Sequence, residues 1–408
     1  MSTPSQQSGA HSRRYFMLAL VSLCELLGMS AWFAAGAAGP HLQQELGLSR
    51  GQMGGLAAAV QIGFVAGTAL LAALNLADIV TSRRLFATCA LAAAVANASL
   101  LVSPGHSSAM ASRFVTGALL AGVYPPALKM ISTWFASARG LALGTVVGAL
   151  TVGKAMPWLI AAANPRNAST VILAASAAGV VAGLLIFTLY RDGPHAFLRR
   201  SFSWTLAGDV LRNRPTRLAI AGYLGHMWEL YAMWTWAPAF VAASLAFRAT
   251  AQGTQSPTWL AGAISFGAIA AGGLGCLWGG WQGDRIGRER TVMQALAASG
   301  ACCLVAGFTF GAHPWLVAGV TWIWGFFVVA DSAQFSGMVT EVAPPHCVGT
   351  ALTLQISLGF LLTVVTIEAI PVIVRAAGWP WAFPLLALGP VAGIEASRRL
   401  ARLRSLPT

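Results

Sequence analysis

Acidic side chains are scarce in this chain: twelve Asp and Glu among 408 residues. Charged residues of both signs make up 9% of it, against roughly a quarter of an ordinary soluble domain. A soluble body of this size needs a charged surface around its core, so the shortage excludes a water-soluble globular enzyme. A hydrophobic content of 57% excludes a disordered chain as well. Paired cysteines are also missing. Cys24, Cys89, Cys276, Cys302, Cys303 and Cys347 lie inside apolar runs or in the loop before a late one, so no disulfide framework is implied. The ten-residue segments of alternating polarity that mark an outer-membrane barrel do not occur either. What these absences leave is an all-α polytopic membrane protein.

What is present is a series of apolar runs, each near the roughly 20 residues a helix needs to cross the hydrocarbon core. Twelve transmembrane helices are predicted, at 15–38, 51–74, 85–103, 110–131, 141–162 and 170–190, then 217–242, 258–281, 291–312, 315–338, 350–373 and 381–397. They are numbered helices 1 to 12 in that order. Forty-four glycines and fifteen tryptophans suit this class, because small residues let membrane helices approach and tryptophan favours the lipid–water boundary. Arg13 and Arg14 imitate the basic region of a signal peptide. The apolar run behind them is too long for a signal core, so a retained first helix is expected.

The expected division is a tail over 1–14, a six-helix half over 15–190, a connector over 191–216, a second half over 217–397 and a tail over 398–408. In the connector Phe202, Leu206 and Val210 recur at helical spacing among arginines, which predicts a short amphipathic helix on the membrane surface. The net charge of +13 would suit nucleic acid if it were gathered in one patch. Instead, with the amino terminus inside, 18 of the 25 Lys and Arg fall in cytoplasmic segments. Only Arg50, Arg166, Arg248 and Arg375 fall in outer loops. By the positive-inside rule both termini are expected in the cytoplasm of a bacterial-type inner membrane, with the lipid bilayer and not nucleic acid as partner.

The chain also repeats itself. Glu25, Leu26, Met29 and Trp32 of helix 1 recur 204 residues later as Glu229, Leu230, Met233 and Trp236 of helix 7. Asp78 and Arg84 recur at an offset of 206 as Asp284 and Arg290, and Gly140 and Leu143 at 209 as Gly349 and Leu352. Three matches at nearly one offset describe two six-helix halves in parallel repeat, which allows a solute site between halves that rock against each other.

These residues resemble the major facilitator superfamily of secondary transporters, from about residue 15 to 397. The most specific likeness is Gly280-Trp281-Gln282-Gly283-Asp284-Arg285-Ile286-Gly287-Arg288, which is similar to the family's G-x-x-x-D-R-x-G-R loop. The resemblance implies a latch in which the Asp meets a helix end and an Arg pairs with a carboxylate. The first-half copy keeps Asp78, Arg83 and Arg84 without the glycines. Arg113 through Gly117 resembles the family's helix-4 motif, and Gly144, Gly148 and Gly153 its glycine-rich helix 5. The Gly-Pro of the drug-exporter branch is replaced by Gly153-Lys154.

A charge near the bilayer centre costs about 2.5–3.5 kcal/mol on insertion scales, so each needs a reason. The deep ionisable residues are Glu25, Arg113, Lys154, His226, Glu229, Asp331 and Glu368. Five of them lie on helices 1, 4, 7 and 10, which the resemblance implies line a central cavity. Lys154, Arg113, Glu25, Glu229, Trp32 and Trp236 are the expected substrate residues. Glu25, Glu229 and Asp331 are expected to couple protons, and Asp78, Gly280, Asp284, Arg285 and Arg288 to gate. Spacing along helices 1 and 7 predicts matching Glu–Met–Trp faces across one cavity. The expected function is secondary transport of a small organic or inorganic anion, proton-coupled, by alternating access of a monomer. The alternative is a transition-metal ion held by His226, Met29 and Met233. A drug or metabolite exporter and a membrane-embedded enzyme rank below these. No cofactor is called for, and the lack of a P-loop, a Gly-x-Ser-x-Gly elbow or a His-Glu-x-x-His motif speaks against ATP and enzyme chemistry.

Overall fold

The computed structural model describes residues 4–74, 76–135, 139–164, 167–195 and 206–405. Among these, eleven helices are long and apolar enough to cross a membrane: Arg13–Ala37, Gly51–Ala73, Ser82–Val102, His106–Ser132, Gly140–Ala163, Ser169–Leu189, Arg214–Ala251, Trp259–Ile286, Arg288–Thr309, Pro314–Val342 and Val348–Ala377. Helix 12 is composite. A 3₁₀ turn over Pro384–Ala387 leads into Leu388–Ser405, whose far end carries Arg398, Arg399, Arg402 and Arg404. Twelve helices thus follow the apolar runs. In the connector a short helix occupies Ala207–Arg212 with Val210 buried, while Phe202 lies outside the described residues.

Local chemistry sets several helix starts. Ser49 and Gln52 form a capping box before helix 2, and the side chains of Thr81, Asn167 and Asn213 accept amide protons at the starts of helices 3, 6 and 7. Asn213 and the proline in the first turn start helix 7 earlier than its apolar pattern does, and the helix runs on through Pro238 to Ala251. Gly287, at φ +91, separates helix 8 from helix 9 with a backbone conformation L side chains avoid.

Each half packs its own six helices, and two seams join the halves: helix 5 with helix 8, and helix 2 with helix 11. The first seam is built on glycine. A Cβ placed on Gly148 would lie 2.9 Å from the Gly273 carbonyl oxygen, and one on Gly144 3.0 Å from that of Cys276. Only small residues permit so close an approach of two membrane helices. On the second seam, the rings of Phe64 and Phe360 meet with centroids 4.5 Å apart.

Candidate functional site

Three helices are interrupted part-way along their length. Helix 1 tightens to a 3₁₀ turn at Ser30–Phe33. Helix 4 breaks between Leu120 and Tyr124, just before Pro125 and Pro126, whose rings carry no N–H to continue the ladder. Helix 10 breaks at Asp331. In an apolar medium, carbonyls released by such breaks need partners. Arg113, fully buried on helix 4, supplies them: its Nη2 donates to Ala31 O at 2.9 Å and Trp32 O at 2.6 Å, and its Nη1 to Asn97 Oδ1 at 2.8 Å. The guanidinium holds the loosened part of helix 1 and so sets where Trp32 stands.

Trp32 stands against Lys154. The Lys154 amine lies 3.9 Å from the Trp32 ring centroid, 4.7 Å from that of Tyr231 and 5.3 Å from that of Trp234, and it donates a hydrogen bond to the Tyr231 hydroxyl. Phe64 and Phe360 close the same cluster against Trp32 and Tyr231. Lys154, Trp32 and Phe64 come from the first half; Tyr231, Trp234 and Phe360 come from the second. The ring faces direct electron density at the ammonium, and the cluster bridges the halves.

Glu25 is fully buried, and neither carboxylate oxygen has a hydrogen-bond partner. An electrostatic interaction couples it to Lys154. Buried polar atoms without partners also occur at Trp32 Nε1, Trp234 Nε1 and the amides of Gln61 and Gln355, on the same helices as the ring cluster. Such groups are rare in folded proteins and call for an explanation.

The expectation of matching faces on helices 1 and 7 does not hold. Glu229 turns into its own half, where Ser299 Oγ donates at 2.9 Å, Cys303 Sγ at 3.2 Å, and the Trp324 indole completes the set. Trp236 donates from Nε1 to Ile367 O at 2.8 Å and walls a groove of about 200 Å³ with Pro371, Arg375 and Trp379. It does not join Trp32. The face of helix 7 that reaches the centre carries Tyr231 and Trp234, two residues past the glutamate and two before Trp236. Met29 and Met233 are packed in the core. At the helix-10 break His226 pairs through Nε2 with Ser332 Oγ at 2.9 Å, and its Nδ1 lies at ion-pair distance, 2.8 Å, from Asp331 Oδ1.

The last turn of helix 8 reaches across to the first half. A Cβ on Gly140 would lie 2.9 Å from Asp284 Oδ1, which puts the carboxylate against the first turn of helix 5, where the helix dipole favours an anion. Arg288 pairs with Glu341 at 2.7 Å and donates to Gln334, whose amide in turn donates to Gly279 O. Arg404 joins Glu289 at 2.6 Å to Glu341 at 2.9 Å. Arg285 stacks on Trp281 at 4.0 Å. Gly280 lies along Gly140 on the glycine seam. The Asp78 side chain lies outside the described residues.

The sequence profile of the major facilitator superfamily matches residues 21–366. The chain belongs to that superfamily. The fold of this superfamily member matches the crystal structure of a mutant of the nucleoside transporter NupG, with a TM-score of 0.72 at 14% identity, over 94% of this chain and 99% of that one. No curated protein matches it in sequence. It is a membrane transporter, not an enzyme.

Sequence reasoning missed Tyr231, Trp234, Phe64, Phe360, Gln61 and Gln355. The signal available was the presence of polar or aromatic side chains on the helices that meet between the halves, but no spacing rule separates these from ordinary aromatic packing.

Proposed function

We propose that this transporter moves a small organic anion across the inner membrane by alternating access, coupled to protons, with both termini and the loop after helix 8 in the cytoplasm. Lys154 is the observation that carries the reading. Its amine sits where the two halves meet, and it is met by a hydroxyl and ring faces instead of a carboxylate oxygen. An anion entering between the halves gives the ammonium its partner. The surrounding rings suit an organic body better than a bare inorganic ion, and the unpaired indole and amide atoms offer further hydrogen bonds.

Glu25 supplies the coupling. Its charge in an apolar setting is met either by Lys154 or by a proton, so taking up a proton frees Lys154 for the substrate anion. The Asp331–His226 pair at the helix-10 break is a second proton-exchanging group. Arg113 and Glu229 are assigned structural tasks, anchoring helix 1 and joining helices 7, 9 and 10. Asp284, Arg288 and their partners hold the cytoplasmic side shut. The arginine bias of the inner segments supports the sidedness.

The test is uptake into proteoliposomes under an imposed pH gradient, from a panel of carboxylates, inorganic anions, nucleosides and transition-metal ions. Gradient-driven uptake of an organic carboxylate, lost in Lys154→Ala, is expected. Uptake of an uncharged nucleoside that survives Lys154→Ala would sink the anion reading.

A further inference from the structure

We infer that Asp209, His346 and Cys347 form a divalent-metal site, suited to zinc, between the connector and helix 11. A carboxylate oxygen, an imidazole nitrogen and the thiol sulfur lie within 4.8 Å of one another. Asp209 belongs to the connector helix Ala207–Arg212, which packs on helix 11. His346 and Cys347 come from the turn that starts helix 11, closed by the Cys347 N–H donating to Pro344 O at 2.8 Å. Asp209 and His346 are exposed and Cys347 is buried beneath them.

The donor set selects the ion. A thiolate and an imidazole favour borderline cations over calcium or magnesium, which prefer all-oxygen cages. Zinc takes sulfur at about 2.3 Å and nitrogen or oxygen at about 2.0–2.2 Å, so its donors stand roughly 3.5 Å apart. The present donors, within 4.8 Å of one another, lie a little wider than that spacing, and two of the three side chains are exposed. Three protein ligands leave the fourth tetrahedral position for water. This site is separate from His226, which is occupied by Asp331 and Ser332, and the ion is a resident ligand, not the cargo. Bound there, it ties the segment that joins the halves to the foot of helix 11, which forms the second seam with helix 2. That the ion is drawn from the cytosol rests on the sidedness proposed above; the binding does not.

The test titrates the full-length protein in detergent with Co(II) as a coloured substitute for zinc. One equivalent is expected to produce a thiolate-to-cobalt charge-transfer band with tetrahedral visible bands, both erased by added Zn(II). Cys347→Ser is expected to lose the charge-transfer band, while His346→Ala and Asp209→Asn, at exposed positions where folding is safe, lose the tetrahedral bands. No band in the wild type, or the same spectrum in His346→Ala and Asp209→Asn, overturns the site. Loss of the anion transport proposed above would leave these spectra unchanged, so the two proposals fail separately.

Discussion

Glu25 and Glu229 occupy the same place in the internal repeat, yet the two halves surround them differently. Glu229 receives hydrogen bonds from Ser299, Cys303 and Trp324 and is part of its half's interior. Glu25 receives none, and its interaction is with Lys154. The repeat has copied the helix and the register of the carboxyl group but not its neighbours. A buried carboxyl with three donors is fixed in one hydrogen-bonding arrangement, whereas one without donors can change protonation without breaking any bond. The repeat therefore holds two equivalent positions, one braced by three donors and the other without a hydrogen bond.

That contrast can be broken or sharpened by substitution. Lys154→Ala should have the largest effect: a charge-assisted bond contributes about 1.5–3 kcal/mol, so anion affinity falls about 10–100-fold, measured by equilibrium binding to the purified protein. Unchanged affinity would remove Lys154 from the site and leave Glu25 without its proposed role. Glu25→Gln should abolish acceleration by a proton gradient while substrate exchange at equal pH persists; gradient-driven uptake at the wild-type rate would make Glu25 as structural as its repeat mate. Glu229→Ala should instead lower stability by about 1–3 kcal/mol for the donors it orphans, read by thermal unfolding, with pH-dependent uptake retained per folded molecule. If that variant unfolds like the wild type but loses proton coupling, the comparison is inverted. Asp284→Asn should be mildest, slowing turnover a few-fold through loss of a charge–dipole contact of about 0.3–1 kcal/mol, with binding unchanged; a pure affinity defect would contradict its place on the latch.

The helices were legible because the length of an apolar run is a local property, and the runs at 51–74 and 170–190 lie close to Gly51–Ala73 and Ser169–Leu189. The stretch from Gly280 to Arg288 was legible for a different reason: its glycines answer to backbone geometry, a close approach at Gly280 and a positive φ at Gly287. Lys154 and Glu25 stood out because charge in an apolar run is conspicuous. The direction of helix 7 was not legible. It is buried along most of its length by neighbours on several sides, so its apolar residues carry no period that marks a cavity face. The repeat suggested Glu229 and Trp236, but their orientation is decided by Ser299, Cys303, Trp324 and Ile367, residues 70 or more positions away. Tyr231 and Trp234 read as packing in the sequence for the same reason.

The seam between helices 5 and 8 is smooth where most helix contacts are toothed. Gly144 and Gly148 on one side and Gly273 on the other present backbone to backbone, and the helix-5 side chains among the nearest atoms over Gly273 and Gly272 are the short Val152 and Thr151. For the alternating access proposed above, this makes the seam a bearing, with the resistance to motion placed at the ends and in the aromatic cluster instead of along the track. A single methyl group at Gly148 would act as a chock, holding the seam ajar and shifting the population toward conformations in which these helices have separated.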